Sequence, residues 1–399
     1  MKNAFAVVCA TLLFAFVATS QSVPKTLVLN GALLERHRNE HIAGKNARSG
    51  EITQLIKTAD KILKTGRTYS VTKKTQTPPS GSKNDYMSLG PYWWPDPTKP
   101  NGLPYIRRDG ERNSEIRNIP DDIEYNGMLN DSEALALAYF FTSDEKYAKH
   151  ATIVLRTWFL DPKTRMNPNL NFGQGIPGRS TGRGIGMIET RAMYRAIDAA
   201  IILQASSLWP ASDQQTFKNW FREFLKWSLE SPLGKDEADE RNNHGTYYDV
   251  QVVAYAIFTD QHDVARKQLA VTKTRIASQI EPDGSQPHEL ARTLSWGYVN
   301  MNAYGFLTLA RLGESAGVDL WNYRTKDGRG VREVLDWIVP YASGEKEWNF
   351  KQIKPRTFDL TVTLFEIGAR KYKKQEYSMI AARLANQQDK NAFRSLGLY

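Results

Sequence analysis

The spacing of apolar positions predicts a chain built almost entirely of helices. Between Gly50 and Gly66, apolar side chains recur three and four residues apart, as on a helix with one buried face, and Gly66 ends the pattern. No alternating pattern typical of β-strands has comparable strength. The predicted helices cover residues 32–41, 50–66, 128–142, 144–159, 186–207, 212–230, 243–259, 263–280, 290–314 and 329–342, with weaker patterns at 359–370 and 377–386.

These helices follow one another in pairs, and each pair occupies about fifty residues. Short connections favour antiparallel neighbours, and a ring of such pairs is an α/α toroid. We therefore predict an all-α fold, an incomplete barrel of about six or seven helical hairpins, in one domain over residues 21–399. A toroid directs helix ends and connecting loops toward a central cleft, so the functional residues are expected in irregular segments.

One long irregular segment runs from Arg67 to about Ile123, where Pro, Gly, Asp and aromatic residues accumulate. A loop of this length inside a compact domain is usually functional. Three consecutive aromatic residues stand between prolines in it, at Tyr92, Trp93 and Trp94. Flat aromatic faces stack on sugar rings, which makes these residues candidate substrate contacts. The alternative is a small satellite core that closes one end of the toroid.

A second irregular segment, from Met166 to Gly186, places amides and arginines among glycines. Donors of this kind suit a cleft wall that binds hydroxyl and carboxylate groups. Gln174 and Arg179 are the candidate substrate contacts here. A long turn with no binding role is the alternative.

The first twenty residues show the pattern of a cleaved signal peptide, with a basic start, an apolar stretch from Ala4 to Val17 and small residues after it. About 14 apolar residues are too few to span a bilayer, which needs roughly 20. We therefore expect export to the periplasm or the medium and no membrane span. Cys9 is the only cysteine of the chain and leaves with the signal, so no disulfide or thiolate site is expected.

The charge of the chain favours anionic partners. Its formal net charge is +10 at pH 7, or +9 once Lys2 has been removed. Nucleic acid, membrane surfaces and acidic polysaccharides would all respond to such a field. Because the basic residues are scattered and the chain is expected to be exported, an acidic polysaccharide is favoured over nucleic acid. Solubility alone is the alternative reason for the charge.

The candidate chemistry concentrates in two segments about fifty residues apart. The first contains Asn242, Asn243 and His244, where either asparagine would also serve as an ordinary helix N-cap. The second contains Arg292, whose guanidinium can hold a carboxylate through two parallel hydrogen bonds. It also contains Tyr298, whose phenol must lose its proton below its usual pKa of about 10 to act as a base, and a nearby arginine favours that loss.

The spacing within the second segment raises a geometric question. Arg292 and Tyr298 are six residues apart, which on an unbroken helix separates them by about 240° around the axis. They would then point in different directions. Either the helix begins later than Glu289, or Gly297 distorts it.

Three motifs together resemble the alginate lyase superfamily of α/α-toroid polysaccharide lyases. They are Asp-Tyr-x-Ser-x-Gly-Pro-Tyr-Trp-Trp-Pro-Asp-Pro at 85–97, Asn-Asn-His at 242–244, and Asp-Gly-Ser-Gln-Pro-His-Glu-Leu-Ala-Arg-Thr-x-Ser-Trp-x-Tyr at 283–298. The resemblance covers roughly residues 80–310. In the better-known members the tyrosine lies one residue further from the arginine, so this chain resembles a divergent branch.

The resemblance implies catalytic roles for Asn243, His244, Arg292 and Tyr298, matched position by position. Asn242 and His288, which stand inside the same motifs, are expected substrate contacts. No metal or other cofactor is implied, because protein donors neutralise the charge of the substrate.

The implied reaction is β-elimination at a uronate residue of an anionic polysaccharide, with alginate the expected substrate and glucuronan the second candidate. Asn243, with His244 or Arg292, would neutralise the carboxylate. Tyr298 or His244 would remove the C5 proton, and Tyr298 would protonate the departing O4. One tyrosine can perform both steps when the C5 hydrogen and O4 lie on the same side of the ring, as in mannuronate or glucuronate. Guluronate needs a base on the opposite face, His244.

Two other classes of protein also fit parts of the sequence. An inverting glycoside hydrolase on a similar toroid needs two carboxylates about 6.5–9.5 Å apart. Its candidate carboxylates are Asp131, Glu189, Asp249 and Glu289. A noncatalytic glycan-binding protein would use Trp93 and Trp94 but would leave His244 and Tyr298 without a role.

Overall fold

The computed structural model describes residues 23–45, 48–385 and 392–397. The expected signal peptide, residues 1–20, lies outside these residues, so export stays a prediction. Within the described residues, no helix is long and apolar enough to cross a membrane. The helices are α1 (Gly31–Ile42), α2 (Ser49–Thr65), α3 (Asp121–Thr142), α4 (Glu145–Leu155), α5 (Tyr194–Leu203), α6 (Ala211–Glu230), α7 (Pro232–Asp239), α8 (Asn243–Phe258), α9 (His262–Gln279), α10 (Pro287–Leu290), α11 (Ser295–Ala316), α12 (Val331–Ser343), α13 (Asp359–Tyr372) and α14 (Gln375–Leu384).

The helices form two layers. Helices α3, α5, α8, α11 and α13 contact one another in that order, and α4, α9 and α14 pack outside as partners of α3, α8 and α13. The composition of α8 and α9 explains the difference: α8 buries fourteen of its sixteen residues, whereas α9 buries six of eighteen. A helix that is apolar on most sides belongs inside, and one with a single apolar stripe belongs outside. The all-α prediction is confirmed.

Two predicted helices differ from the observed ones at the ends that face the cleft. The helix predicted over 186–207 begins as a 3₁₀ turn at Gly184–Thr190, and α5 starts only at Tyr194. The helix predicted over 290–314 is divided into α10 and α11. Helix α7 was not predicted, because eight residues carry little periodicity. Its start has an ordinary signal, since Ser231 accepts a hydrogen bond from the Gly234 amide and Pro232 follows.

Four short strands connect the irregular segments. They are β1 (Met87–Leu89), β2 (Trp93–Trp94), β3 (Ile106–Arg107) and β4 (Phe172–Gly175). Strand β1 pairs with β4 in parallel, and β2 pairs with β3 in an antiparallel arrangement. The β1–β4 pair joins the segment that follows α2 to the segment that precedes α5. Both irregular segments therefore form one wall of the cleft.

The chain before α1 is fixed to the inner layer by Asp198 of α5. Its carboxylate accepts hydrogen bonds from the backbone amides of Leu27, Val28 and Leu29, at 2.5, 3.1 and 2.9 Å. Asp198 is 2% exposed, and burial raises its pKa to about 7. Three otherwise unpaired amides thus depend on one side chain.

We expect Asp198→Ala to lower the free energy of unfolding by about 3 kcal/mol or more, because each buried amide without an acceptor costs about 1–3 kcal/mol. Asp198→Asn keeps one acceptor oxygen and should cost less. Urea unfolding of both variants measures the difference. Equal stability of the alanine variant and the wild type would show that these amides find other partners.

Candidate active site

A cavity of about 590 Å³ opens where the irregular segments meet the first residues of α8 and α11. Its lining carries more positive than negative side chains, as an anionic ligand requires. The arginines that line it are Arg107, Arg112, Arg183, Arg191 and Arg292. The carboxylates that line it are Asp122, Glu189 and Glu240.

Helix α8 brings an amide and an imidazole to the cavity at its first turn. Asn242 is the N-cap, and its side chain accepts a hydrogen bond from the backbone amide of His244 at 2.9 Å. Asn243 follows and is completely buried. Its backbone N and its Nδ2 donate to the two oxygens of Glu289, both at 2.7 Å. Its Oδ1 has no hydrogen-bond partner among the described residues. Glu289 therefore fixes the orientation of the Asn243 amide.

His244 is held from the other side by a buried carboxylate. Its Nδ1 lies 3.0 and 3.2 Å from the two oxygens of Glu237 in α7. The side chain of Glu237 is 0% exposed, and that of His244 is 15% exposed. Since Nδ1 is engaged by Glu237, Nε2 is the ring nitrogen left for a ligand in the cavity.

The break between α10 and α11 places Arg292 beside Tyr298. Helix α11 begins at Ser295, so Arg292 lies in the connection and the 240° separation expected on one helix does not apply. The helix therefore begins later than Glu289, which was the first of the two alternatives, and Gly297 lies within α11. Arg292 Nη2 donates to the Tyr298 hydroxyl at 2.8 Å, and the guanidinium carbon lies 3.8 Å from the ring centroid.

Asp109, from the long irregular segment, holds Arg292 in this position. Arg292 Nη2 lies 2.7 Å from Asp109 Oδ1, and the backbone amide and hydroxyl of Thr293 also donate to Asp109. Burial alone would raise the pKa of Asp109, but the hydrogen bonds and charge of Arg292 and the Thr293 donors bring it well below 3.8. Asp109 is therefore ionised at neutral pH and compensates the charge of Arg292.

Tyr298 receives a second contact from Tyr92, whose hydroxyl lies 2.9 Å away. Burial raises the pKa of Tyr298 well above 10, and Tyr92 acts in the same direction. The charge of Arg292 lowers it but does not outweigh burial. Tyr298 therefore keeps its proton at neutral pH, which is the form that a general acid needs.

The other wall of the cavity carries Trp93, Gln174 and Arg183. Arg183 donates from Nε to the backbone oxygen and from Nη2 to the side-chain oxygen of Gln174, both at 2.9 Å. Its guanidinium carbon lies 5.7 Å from the Trp93 ring. No carboxylate of the described residues forms an ion pair with Arg183. Although burial lowers its pKa to about 10, Arg183 remains charged at pH 7.

Three expected substrate contacts do not line this cavity: Trp94, Arg179 and His288. Successive side chains of a strand point to opposite faces, so Trp93 faces the cavity and Trp94 does not. The Trp94 indole donates to the backbone oxygen of Glu111. Arg179 donates to the backbone oxygen of Tyr105. His288 lies in the short helix α10.

The carboxylates proposed for a hydrolase are not paired in the cavity. Asp131 accepts from Tyr69, Asp249 accepts from Arg275, and Glu289 holds Asn243. Of the four candidates only Glu189 lines the cavity, and it accepts hydrogen bonds from the hydroxyls of Tyr86 and Ser88. The arrangement therefore does not supply the acid and base of an inverting hydrolase from these residues.

Comparison with protein families decides between the classes. A family model described as alginate lyase matches residues 70–348, which include every residue of the cavity named above. The chain belongs to the alginate lyase family. It is accordingly a polysaccharide lyase, as the three motifs indicated.

Solved structures agree with this assignment. An alginate lyase from Bacteroides ovatus is 36% identical, with a TM-score of 0.88 over 94% of this chain and 100% of that chain. Alginate lyase A1-III from Sphingomonas species A1 shares the fold at 17% identity, with a TM-score of 0.57 over 95% of this chain and 99% of that chain. The predicted α/α toroid is confirmed. A search of curated proteins found no match.

Sequence reasoning missed the residues that support this lyase site. Asp109 and Glu237 were not singled out, and Glu289 was considered only as a hydrolase carboxylate. None of the three carries a local signal, since each contacts a side chain on another element. Glu289 stands inside the motif at 283–298, but its partner Asn243 lies 46 residues away in the sequence.

Gly297 lines the cavity in the first turn of α11, and a Cβ there would meet no atom within 4 Å. We expect Gly297→Ala to raise the free energy of unfolding by about 0.5–1 kcal/mol, because glycine is a poor helix former. Gly305→Ala in the same helix is the control and should destabilise, since its Cβ would lie 2.8 Å from Thr246 Cγ2. Thermal unfolding of both variants and the wild type measures the change in stability. A destabilised Gly297→Ala variant would mean that this turn needs glycine.

Burial raises the pKa of Glu289 from 4.5 to about 7 although Asn243 donates to it. The unfolded chain releases this proton at lower pH than the folded protein, so Glu289 contributes stability that is lost as the pH rises from about 4.5 to about 7. We expect Glu289→Gln to reduce this loss, as measured by urea midpoints at both pH values. Glu345→Gln, at an exposed position, is the control. If the stability of Glu289→Gln and of the wild type changed equally with pH, the raised pKa of Glu289 would be contradicted.

Proposed function

We propose that this lyase cleaves alginate by β-elimination, with glucuronan as the second candidate substrate. The observation that carries the proposal is the Tyr298 hydroxyl, which meets both Arg292 and Tyr92 within hydrogen-bond distance in an arginine-lined cavity. The Bacteroides ovatus relative is an alginate lyase by name, and a variant of alginate lyase A1-III that shares the fold is described with a bound tetrasaccharide. These likenesses support a uronate polymer as the substrate.

The carboxylate of the uronate is neutralised first. Asn243 offers the amide hydrogen that Glu289 does not use, and Arg183 offers a charge that no direct ion pair with a carboxylate of the described residues neutralises. Neutralisation stabilises the negative charge that develops on the carboxylate when the C5 proton leaves. Arg292 takes a different role from the one expected from its residue type, because its Nε and Nη2 donate to Asp109 and its Nη2 also donates to the Tyr298 hydroxyl.

The elimination then moves one proton off carbon and one onto oxygen. A base removes the C5 proton, the C4–C5 double bond forms, and the C4–O4 bond breaks. Tyr298 gives its proton to O4, and Arg292 stabilises the phenolate that remains. The base is His244 or, for linkages with the C5 hydrogen and O4 on one side, Tyr298 after its proton has been lost.

We expect Tyr298→Phe to lower turnover of alginate by about 10²–10⁴-fold, the usual contribution of a general acid or base. The increase in absorbance of the unsaturated uronate product measures the rate. Tyr304→Phe on the same helix is the matched control, because Tyr304 does not line the cavity.

The outcomes separate the classes of protein. New reducing ends without the unsaturated product would indicate hydrolysis and contradict the elimination. Binding of the polymer by the wild type without any product would indicate a binding protein. Full activity of Tyr298→Phe would remove Tyr298 from the mechanism.

A further inference from the structure

The contact between His244 and Glu237 determines which ring nitrogen of His244 serves the cavity. Glu237 lies in α7, seven residues before His244, and its side chain is 0% exposed. Both of its oxygens lie within 3.2 Å of His244 Nδ1. No other side-chain hydrogen bond to Glu237 is found among the described residues. A buried carboxylate needs a donor, and His244 supplies it.

An ionised carboxylate can only accept hydrogen bonds, so its partner nitrogen must carry a proton. In a neutral imidazole that assignment leaves Nε2 with a lone pair. We propose that Glu237 is a positioning residue that holds the proton of His244 on Nδ1 and so presents Nε2 to the substrate as the base that removes the C5 proton. This inference rests on the proposed elimination and assigns the base that the elimination requires.

The charged groups around Glu237 and His244 shift the pKa of Glu237 in both directions. Burial raises the pKa of Glu237, and the carboxylates of Glu240 and Asp236 act in the same direction. The charge of His244 and its hydrogen bond lower it. The charge of Arg183 interacts favourably with Glu237 and Asp236, which favours the ionised form of Glu237.

The properties of Tyr298 suit a general acid that is separate from the base, His244. Tyr298 is half-buried, holds its proton, and lies on a different helix from His244. When Nε2 takes the C5 proton, His244 becomes an imidazolium whose charge Glu237 stabilises through the existing hydrogen bond. The C4–C5 double bond forms, the C4–O4 bond breaks, and Tyr298 protonates O4. Proton exchange with solvent restores both residues.

Separate base and acid residues widen the substrate class. A single residue serves only linkages whose C5 hydrogen and O4 lie on one side of the ring. Linkages with the two groups on opposite sides require a base separate from Tyr298, which is the role assigned to His244. The rate on guluronate linkages therefore reports whether Glu237 positions His244.

The test uses ¹⁵N-histidine-labelled protein and four variants. Glu237→Gln keeps an oxygen that accepts from Nδ1 but removes the charge, and Glu237→Ala removes the contact. Asp236→Asn is the matched control, since Asp236 is the neighbouring exposed carboxylate and accepts from the Gly184 amide. The ¹⁵N shifts of His244, assigned by comparison with a His244→Gln variant, report which nitrogen carries the proton. Rates on guluronate-rich and mannuronate-rich alginate are measured in parallel.

We expect the proton on Nδ1 in the wild type, in Glu237→Gln and in Asp236→Asn, and on Nε2 in Glu237→Ala. The rate on guluronate-rich polymer should fall at least about tenfold in Glu237→Ala, because a mispositioned general base loses part of its contribution, whereas Asp236→Asn should match the wild type. A wild-type proton on Nε2, or the same tautomer with and without Glu237, would overturn the inference.

Two features of the design keep the test decisive. If Glu237→Ala fails to fold, the wild-type and Glu237→Gln spectra still give the tautomer. If the wild type cleaves no uronate polymer, the proposed function fails, whereas the spectra judge the role of Glu237 independently of activity.

Discussion

The ion pair between Asp109 and Arg292 joins the two halves of the cavity. Asp109 belongs to the irregular segment between α2 and α3, and Arg292 lies in the break between α10 and α11. Together with the hydrogen bonds from Thr293 to Asp109, this contact fixes one stretch of an irregular segment rich in proline and glycine next to Tyr298. With it, Tyr92 reaches the Tyr298 hydroxyl and β2 directs Trp93 into the cavity. The toroid supplies a rigid base, and the ion pair aligns the loop with it.

The same arrangement recurs behind each polar group at the centre of the site. Arg292 is held by Asp109, His244 by Glu237 and Asn243 by Glu289. A carboxylate accepts but does not donate, so it fixes which hydrogens of its partner are used and which remain for the substrate. Desolvation makes such buried carboxylates costly, and the hydrogen bonds they accept offset that cost. Part of the stability of the protein is therefore tied to the orientation of its site.

The charge of the cavity is uneven in a way that suits one anionic group. Arg292 forms an ion pair with Asp109, whereas Arg183 donates to the oxygens of Gln174, lies against the Trp93 ring and forms no ion pair with a carboxylate of the described residues. A compensated arginine can stabilise a phenolate without binding the substrate carboxylate tightly. An uncompensated one attracts that carboxylate to the opposite wall. The two arginines thus divide tasks that residue type alone would assign to either.

Local patterns in the sequence predict the helical fold and the two segments that carry the chemistry. Helical periodicity reflects burial of one face and is visible locally, as over 50–66, and the Asn242–His244 and Arg292–Tyr298 motifs contain their own residue types. The support of these groups depends on contacts between elements that are distant in the sequence. Asp109 and Arg292 are 183 residues apart, and a contact of that range leaves no periodic trace in the chain. The break before α11 likewise depends on backbone pairing, because the Ser295 amide donates to the distant Lys351 carbonyl. Local patterns predict elements, whereas hydrogen bonds between elements decide the site.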